Sequence, residues 1–199
     1  NIFVNDVLRT SGQQVSAITN IYPSRILISY PNYPEIIDSP EVAVDSFSDS
    51  AVDVNPADGQ EITGIISFFG DSAFGAAQKD DVIIIFKENS IYAVNLAAKA
   101  AGQNPVQKIE SRGLGCTAPM SLAYSRNGIM FANQSGIFLL TSNLTVEDVG
   151  QNLARKWKDT VDKEQLSLAT GHHYPIETFY KLSYPTLGAT RNTNVFVYN

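Results

Sequence analysis

Two stretches of this chain write one pattern twice: DVIIIFKENSIYAVN, from Asp81 to Asn95, and GIMFANQSGIFLL, from Gly128 to Leu140. Ile84-Ile85-Phe86 aligns with Ile129-Met130-Phe131. Ser90-Ile91-Tyr92 aligns with Ser135-Gly136-Ile137-Phe138, once Gly136 is allowed as one extra residue. An apolar strand, a short polar link and an apolar-aromatic strand make a β-hairpin. A small twisted sheet built of such hairpins cannot bury both its faces alone. A chain that repeats the unit is therefore confined to folds in which short sheets cover one another.

Other segments carry the same signal. Arg25–Tyr30 reads as a strand closed by the turn Pro31-Asn32-Tyr33-Pro34, with Glu35-Ile36-Ile37 as a return segment. The turn Pro56-Ala57-Asp58-Gly59 precedes a β-branched and aromatic run from Ile62 to Phe69. Lys87–Ser90 links Val82–Phe86 to Ile91–Leu96. Ser121–Tyr124, Gly128–Phe131 and Gly136–Leu140 form another cluster, and Phe179–Leu182 and Val195–Tyr198 a last one. Asn127-Gly128 is a strong hairpin signal, because both central residues of that turn type need positive φ.

The units centre near Ile28, Ile84, Met130 and Tyr180, about 45 to 55 residues apart, the interval of propeller blades or arrays of similar sheets. The expected fold is all-β and mainly antiparallel, with β-propeller-like blades or stacked small sheets. An ordinary β-sandwich is the alternative, since any two strands rich in β-branched residues look alike. Residues 1–24 are expected to be an N-terminal lead-in and residues 25–199 the propeller-like β region, part of a longer chain. One segment departs from this pattern. Val146, Val149, Leu153, Trp157 and Val161 recur at three- and four-residue intervals, predicting a short amphipathic helix near 146–161 with Thr145 and Asp148 as its capping pair.

Composition narrows the function. Charged residues are 17% of the chain and hydrophobic ones 44%, a balance suited to strands with neutral polar faces. The net charge of -6 argues against broad contact with a nucleic-acid backbone, which calls for clustered Lys and Arg. No apolar run approaches the ~20 residues of a membrane helix.

The chemistry-bearing residues assemble into no catalytic, cofactor or metal pattern. His172 and His173 are adjacent, so on a strand they point to opposite faces and do not share an ion. Asp53 to Glu61 resembles a calcium loop, but its third ligand and its glycine come one place late. Arg112-Gly113-Leu114-Gly115-Cys116 has G-x-G without the third glycine or the strand-to-helix setting of a dinucleotide fold. Cys116, the single cysteine, forms no intrachain disulfide and reads as a small buried thiol. Asp80-Asp81 reads as a solvated strand end. The expectation is therefore no catalytic residue, no cofactor and no metal.

Taken in order, Arg25–Ser29, Pro34–Asp38, Asp58–Ile65, Val82–Tyr92, Gly113–Cys116 and Asn127–Phe131 with Gly136–Phe138 resemble virion proteins of tailed bacteriophages. The nearest group is the β-propeller kind of neck and tail proteins of short-tailed phages: tail nozzle, tail tubular or packaged-DNA stabilisation proteins. The resemblance covers roughly Arg25 to Asn199 and lies in the order of the motifs.

It implies a non-enzymatic structural part of the virion tail or neck. Such proteins form a homo-oligomeric ring, often sixfold, against the portal, adaptor and other tail proteins, and the ring lines a conduit for genome ejection. An acidic wall would repel DNA phosphates and favour passage over binding. Two other readings stand beside it. A receptor- or carbohydrate-binding β-domain of tail-fibre or lectin type would use exposed rings among Tyr30, Tyr33, Tyr174 and Tyr180. A propeller glycan hydrolase would need carboxylates converging in a pocket.

Overall fold

A computed structural model of the chain describes residues 8–10, 13–17, 25–28, 51–67, 82–95, 98, 102–125, 127–174 and 179–199. The expected segment Glu35–Ile37 and the pair Asp80-Asp81 lie outside these residues. The described chain is predominantly antiparallel β-structure arranged in four small sheets. Each sheet is threaded from consecutive strands. The first contains β1 (Leu8–Thr10), β2 (Gln13–Ala17), β3 (Arg25–Ile28) and β4 (Ala51–Asp53). The second contains β5 (Ile62–Ser67), β6 (Val82–Lys87), β7 (Ile91–Asn95) and β8 (Val106–Ile109). The third contains β9 (Ala123–Ser125), β10 (Gly128–Asn133), β11 (Gly136–Thr141) and β12 (Val146–Asp148). The last has β13 (Thr170–Tyr174), β14 (Phe179–Tyr184) and β15 (Asn194–Tyr198).

The four repeat centres fall one in each sheet: Ile28 on β3, Ile84 on β6, Met130 on β10 and Tyr180 on β14. The twice-written pattern occupies equivalent places. β6 and β7 are the middle strands of their sheet, as β10 and β11 are of theirs. In β6 and β7, Phe86 pairs with Ile91; in β10 and β11, Phe131 pairs with Phe138, their rings stacked 5.6 Å apart. Residues 8–17, inside the stretch expected to be a lead-in, supply β1 and β2, and Val15 on β2 pairs with Ile28 on β3.

The chain forms two units, one holding β1–β8 and the other β9–β15. In the first unit, alternate residues of the middle strands (Ile83 and Ile85 on β6, Tyr92 and Val94 on β7) pack with Ile65 on β5 against Val52 and Val54. In the second, Met130, Ala132, Ile137 and Leu139 pack against Tyr180, Leu182 and Tyr184, the inner face of the last sheet. Every residue of β6 and β10 is buried, so both faces of these strands are shielded from water. That is why they read as continuous apolar runs rather than alternating ones.

Two expectations need correction. Val146–Asp148 is not helical: Val146 pairs with Leu140 and Glu147 with Leu139, forming the edge of the third sheet. The helix is shorter. α1 spans Ala154–Thr160 after a 3-10 turn at Gln151–Leu153, and its one buried residue is Trp157, whose ring lies 5.2 Å from Tyr184. The capping pair does not form. The Thr145 and Thr141 hydroxyls are 2.7 Å apart, and Asp148 Oδ1 accepts from the Gly150 N–H at 2.9 Å. The apolar spacing arose because Val149, just after the edge strand, packs on the same core as Trp157 of the helix and Val161 beyond it. Pairing with β11 then satisfied the backbone that a helix would otherwise have used.

The second correction concerns Gly128, which starts β10 opposite Ser125 rather than sitting inside the turn. The glycine is required by approach, because a Cβ there would lie 2.1 Å from the Leu140 carbonyl oxygen. No helix among the described residues is long and apolar enough to cross a membrane.

Candidate functional site

Among the described residues, polar groups leave water in a hydrogen-bonded cluster in each unit. In the first, Pro56–Asp58 forms a 3-10 turn between Asn55 (φ 46) and Gly59 (φ 67). The turn Asp58-Gly59 therefore launches β5 as its residue types predict. Lys87, at the end of β6, is fully buried and reaches back to this turn. Its ammonium donates to Asp58 Oδ1 at 2.8 Å and to the Asn55 carbonyl at 3.0 Å. Tyr92 Oη donates to Asp58 Oδ2 at 3.1 Å, Asn55 Nδ2 donates to Tyr92 Oη at 2.8 Å, and the Gln60 N–H donates to Asp58 Oδ1 at 3.0 Å.

Burial by itself would push the Asp58 carboxyl up. The hydrogen bonds from Lys87, Gln60 and Tyr92, with the Lys87 charge, outweigh burial and hold it below the ordinary carboxylate value. The carboxylate that resembled a calcium ligand is thus already occupied. Asp53 and Glu61, the other acids of that stretch, are exposed. Among the described residues no three His, Cys, Asp or Glu side chains come together as a metal site.

The second place joins the third and last sheets. Cys116 is buried, with Sγ donating to the Ala118 carbonyl at 3.2 Å. Ser121 Oγ donates to the same carbonyl at 2.6 Å and accepts from the Ala132 N–H at 2.9 Å. The Tyr180 hydroxyl donates to the Ser121 carbonyl at 2.8 Å. Burial pushes the Cys116 thiol up to about 11, and burial likewise raises the Tyr180 phenol. A nucleophilic cysteine needs the opposite shift, so the geometry makes Cys116 a packing residue. Gly171 is what lets the tyrosine pass: a Cβ there would lie 2.3 Å from Tyr180 Oη and 2.5 Å from Ser121 O.

The G-x-G corner leads into the second cluster at Cys116. Arg112 (φ 53) and Gly113 (φ 78) make a left-handed corner, and the Gly115 carbonyl accepts from Asn133 Nδ2 at 3.0 Å. The histidines fall in β13, close to its end. As adjacent strand residues they diverge: His172 is exposed, its ring 4.9 Å from Tyr174, while His173 is half-buried. Of the tyrosines considered for stacking on sugars, Tyr180 is core and Tyr174 is exposed, while Tyr30 and Tyr33 lie outside the described residues.

Both buried clusters are saturated with internal partners, and what they do is fix loops onto sheets. Neither was visible as a sequence motif. Lys87 and Asp58 are 29 residues apart and Tyr180 and Ser121 are 59 apart, so only folding unites them. The one available signal was a lysine closing an otherwise apolar strand. Among the described residues the outer side of the last sheet is open, with Tyr174, Val195 and Val197 facing solvent. No protein-family model matches the chain, and no curated protein matches it.

Proposed function

We propose that this chain is a structural, non-catalytic part of a tailed-phage virion, built of propeller-like blades in the neck or tail nozzle through which the genome leaves. The observation that carries the reading is the serial order of the sheets. Four small sheets follow one another along the chain, each formed by consecutive strands, with one hairpin centre in each. Consecutive meander sheets are how propeller blades are built, and shielding of both faces of β6 and β10 is what face-to-face stacking of such sheets produces.

The resemblance of the ordered motifs to those of nozzle and tubular proteins supports the virion assignment, and the two internally bonded polar clusters suit a rigid part. Its partners in this reading are other copies in a ring, the portal or adaptor above, and DNA in transit. The net charge of -6 favours passage of DNA over retention.

The test is localisation. Antibody raised against the chain should label purified short-tailed particles at the head–tail junction, and averaged images of the particles should show the density repeated around the tail axis. Absence of the chain from intact particles would remove the assignment.

A further inference from the structure

The last sheet differs from its predecessors in one respect. Where β6 and β10 are buried at every position, β14 alternates: Tyr180, Leu182 and Tyr184 are core, while Phe179, Lys181 and Ser183 on the other side are only partly covered. The neighbours on that side are more open still, with Val195 54%, Val197 50% and Tyr174 39% exposed. Register makes these residues one continuous face. Tyr174 lies opposite Phe179 with ring centroids 4.9 Å apart, His172 lies opposite Lys181, and Lys181 lies opposite Val197. The Lys181 ammonium sits 5.8 Å from the Tyr174 ring and 6.0 Å from the Phe179 ring. Lone exposed valines need no explanation, but a face of aromatic and β-branched residues on a sheet whose sister strands are covered does.

Three strands ~4.8 Å apart and five residues at ~3.3 Å each give a face of roughly 10 by 17 Å, the footprint of one more small sheet. Its charge also restricts the occupant. Among the described residues Lys181 is the only acidic or basic side chain on the face apart from the imidazole of His172, whereas the chain as a whole is at -6. Two such faces meeting each other would set lysine against lysine. The same face meeting a different, acidic surface of another copy would not.

We propose that the outer face of β13–β15 is the lateral docking surface for a second copy of this chain. Tyr174, Phe179, Val195 and Val197 would meet an apolar sheet surface of that copy, and Lys181 one of its carboxylates. The contact is head-to-tail, the kind that closes into a ring. It rests on the reading of the chain as a ring-forming part and names the surface that ring would use. The face is well below the ~800 Å² per partner of a standard interface, so a single contact is weak and gains strength only when copies engage together.

Sedimentation equilibrium of the 199-residue chain tests this. The wild-type chain should associate reversibly at high micromolar concentration, and association should weaken as salt rises. The double substitution Val195→Glu/Val197→Glu should weaken it at least tenfold, and Lys181→Glu severalfold, with unchanged circular dichroism and melting temperature. Monomeric wild-type protein throughout that range, or undiminished association of the double variant, overturns the proposal.

A second measurement uses the thiol introduced by Val197→Cys. Maleimide should label it quickly in dilute protein and slowly in concentrated protein. Protection already present in the dilute monomer would assign the cover to the chain itself. Protection brought about by oligosaccharides alone would make the face a glycan site. Either result refutes docking of a second copy. Particles that contain a chain unable to self-associate would keep the assembly reading and discard this surface; self-association by a chain missing from particles would do the reverse.

Discussion

The Lys87 ammonium and the Asp58 carboxylate lie 2.8 Å apart, with the lysine side chain wholly removed from solvent. Removing Asp58 leaves a wholly buried ammonium uncompensated, whereas replacing the lysine with an apolar side chain of similar volume leaves a carboxylate that is 15% exposed and still accepts from Gln60 and Tyr92. Asp58→Ala should therefore destabilise the chain by about 3 kcal/mol, and Lys87→Met by clearly less. Urea unfolding followed by tryptophan fluorescence and by far-ultraviolet circular dichroism measures both. Equal losses in the two variants would show that the pair is not buried as described.

The same pair has an acid signature. Because the Asp58 carboxyl is held below its ordinary value in the folded chain, its contribution to stability is complete above the unfolded value near 3.8. That contribution declines as pH falls through the lower folded value. Wild-type stability should thus drop, as pH falls below about 4, more steeply than that of Asp58→Asn, which has no proton to take up there. Parallel pH profiles for the two proteins would remove Asp58 as the source.

Tyr180 and Gly171 should behave as one unit. Tyr180→Phe leaves the Ser121 carbonyl without its donor and should cost about 1–2 kcal/mol. Gly171→Ala places a methyl group where the phenol oxygen and that carbonyl already sit, and should cost more. In the Tyr180→Phe background the collision with the phenol oxygen is gone while those with the Ser121 carbonyl and the ring edge remain, so the alanine substitution should be somewhat less damaging there. A double-mutant cycle from denaturant melts reads the difference as a coupling energy, and additivity of the two costs would contradict the geometry.

Cys116 gives a probe of opening that requires no engineering. Its thiol is buried and pushed up to about 11, so native protein at pH 8 should react with a disulfide reagent only when the second unit opens. Labelling should be slow in buffer and immediate in 6 M guanidinium. Fast labelling of native protein would place the thiol at the surface.

Binding to DNA should be negligible. A chain at -6 gains no counterion-release free energy from a phosphate backbone unless cations cluster locally. Fluorescence anisotropy with a labelled 30-base-pair duplex in 150 mM salt should show no saturable change up to 50 μM protein. Micromolar affinity would refute the argument for an unobstructed conduit.

What the sequence disclosed, and what it withheld, follows from distance along the chain. The hairpins β6–β7 and β10–β11 were legible because their partners lie within a few residues of one another. Their β-branched and aromatic content also fixes both the strands and the link. Edge strands were harder. β8 reads VQKI with two exposed residues, and β13 carries two histidines, so neither has an apolar rhythm to betray it. Val146–Asp148 misled because Val149, which directly follows it, shares a core with Trp157 on α1 and with Val161, which imitates helical spacing. Gly128 was noticed for the wrong reason, since crowding against Leu140 cannot be inferred from a dipeptide. The polar clusters left almost no trace in the sequence: Lys87 looked like part of a solvated link until folding brought it to Asp58.

The threading of each sheet from neighbouring strands has a consequence for how such a chain is made and remade. Every sheet can knit as soon as its own stretch leaves the ribosome, without waiting for distant partners, so the loop-closure cost stays small at each step. Copying or deleting one contiguous stretch of the gene would add or remove a whole sheet and leave the course of the others untouched.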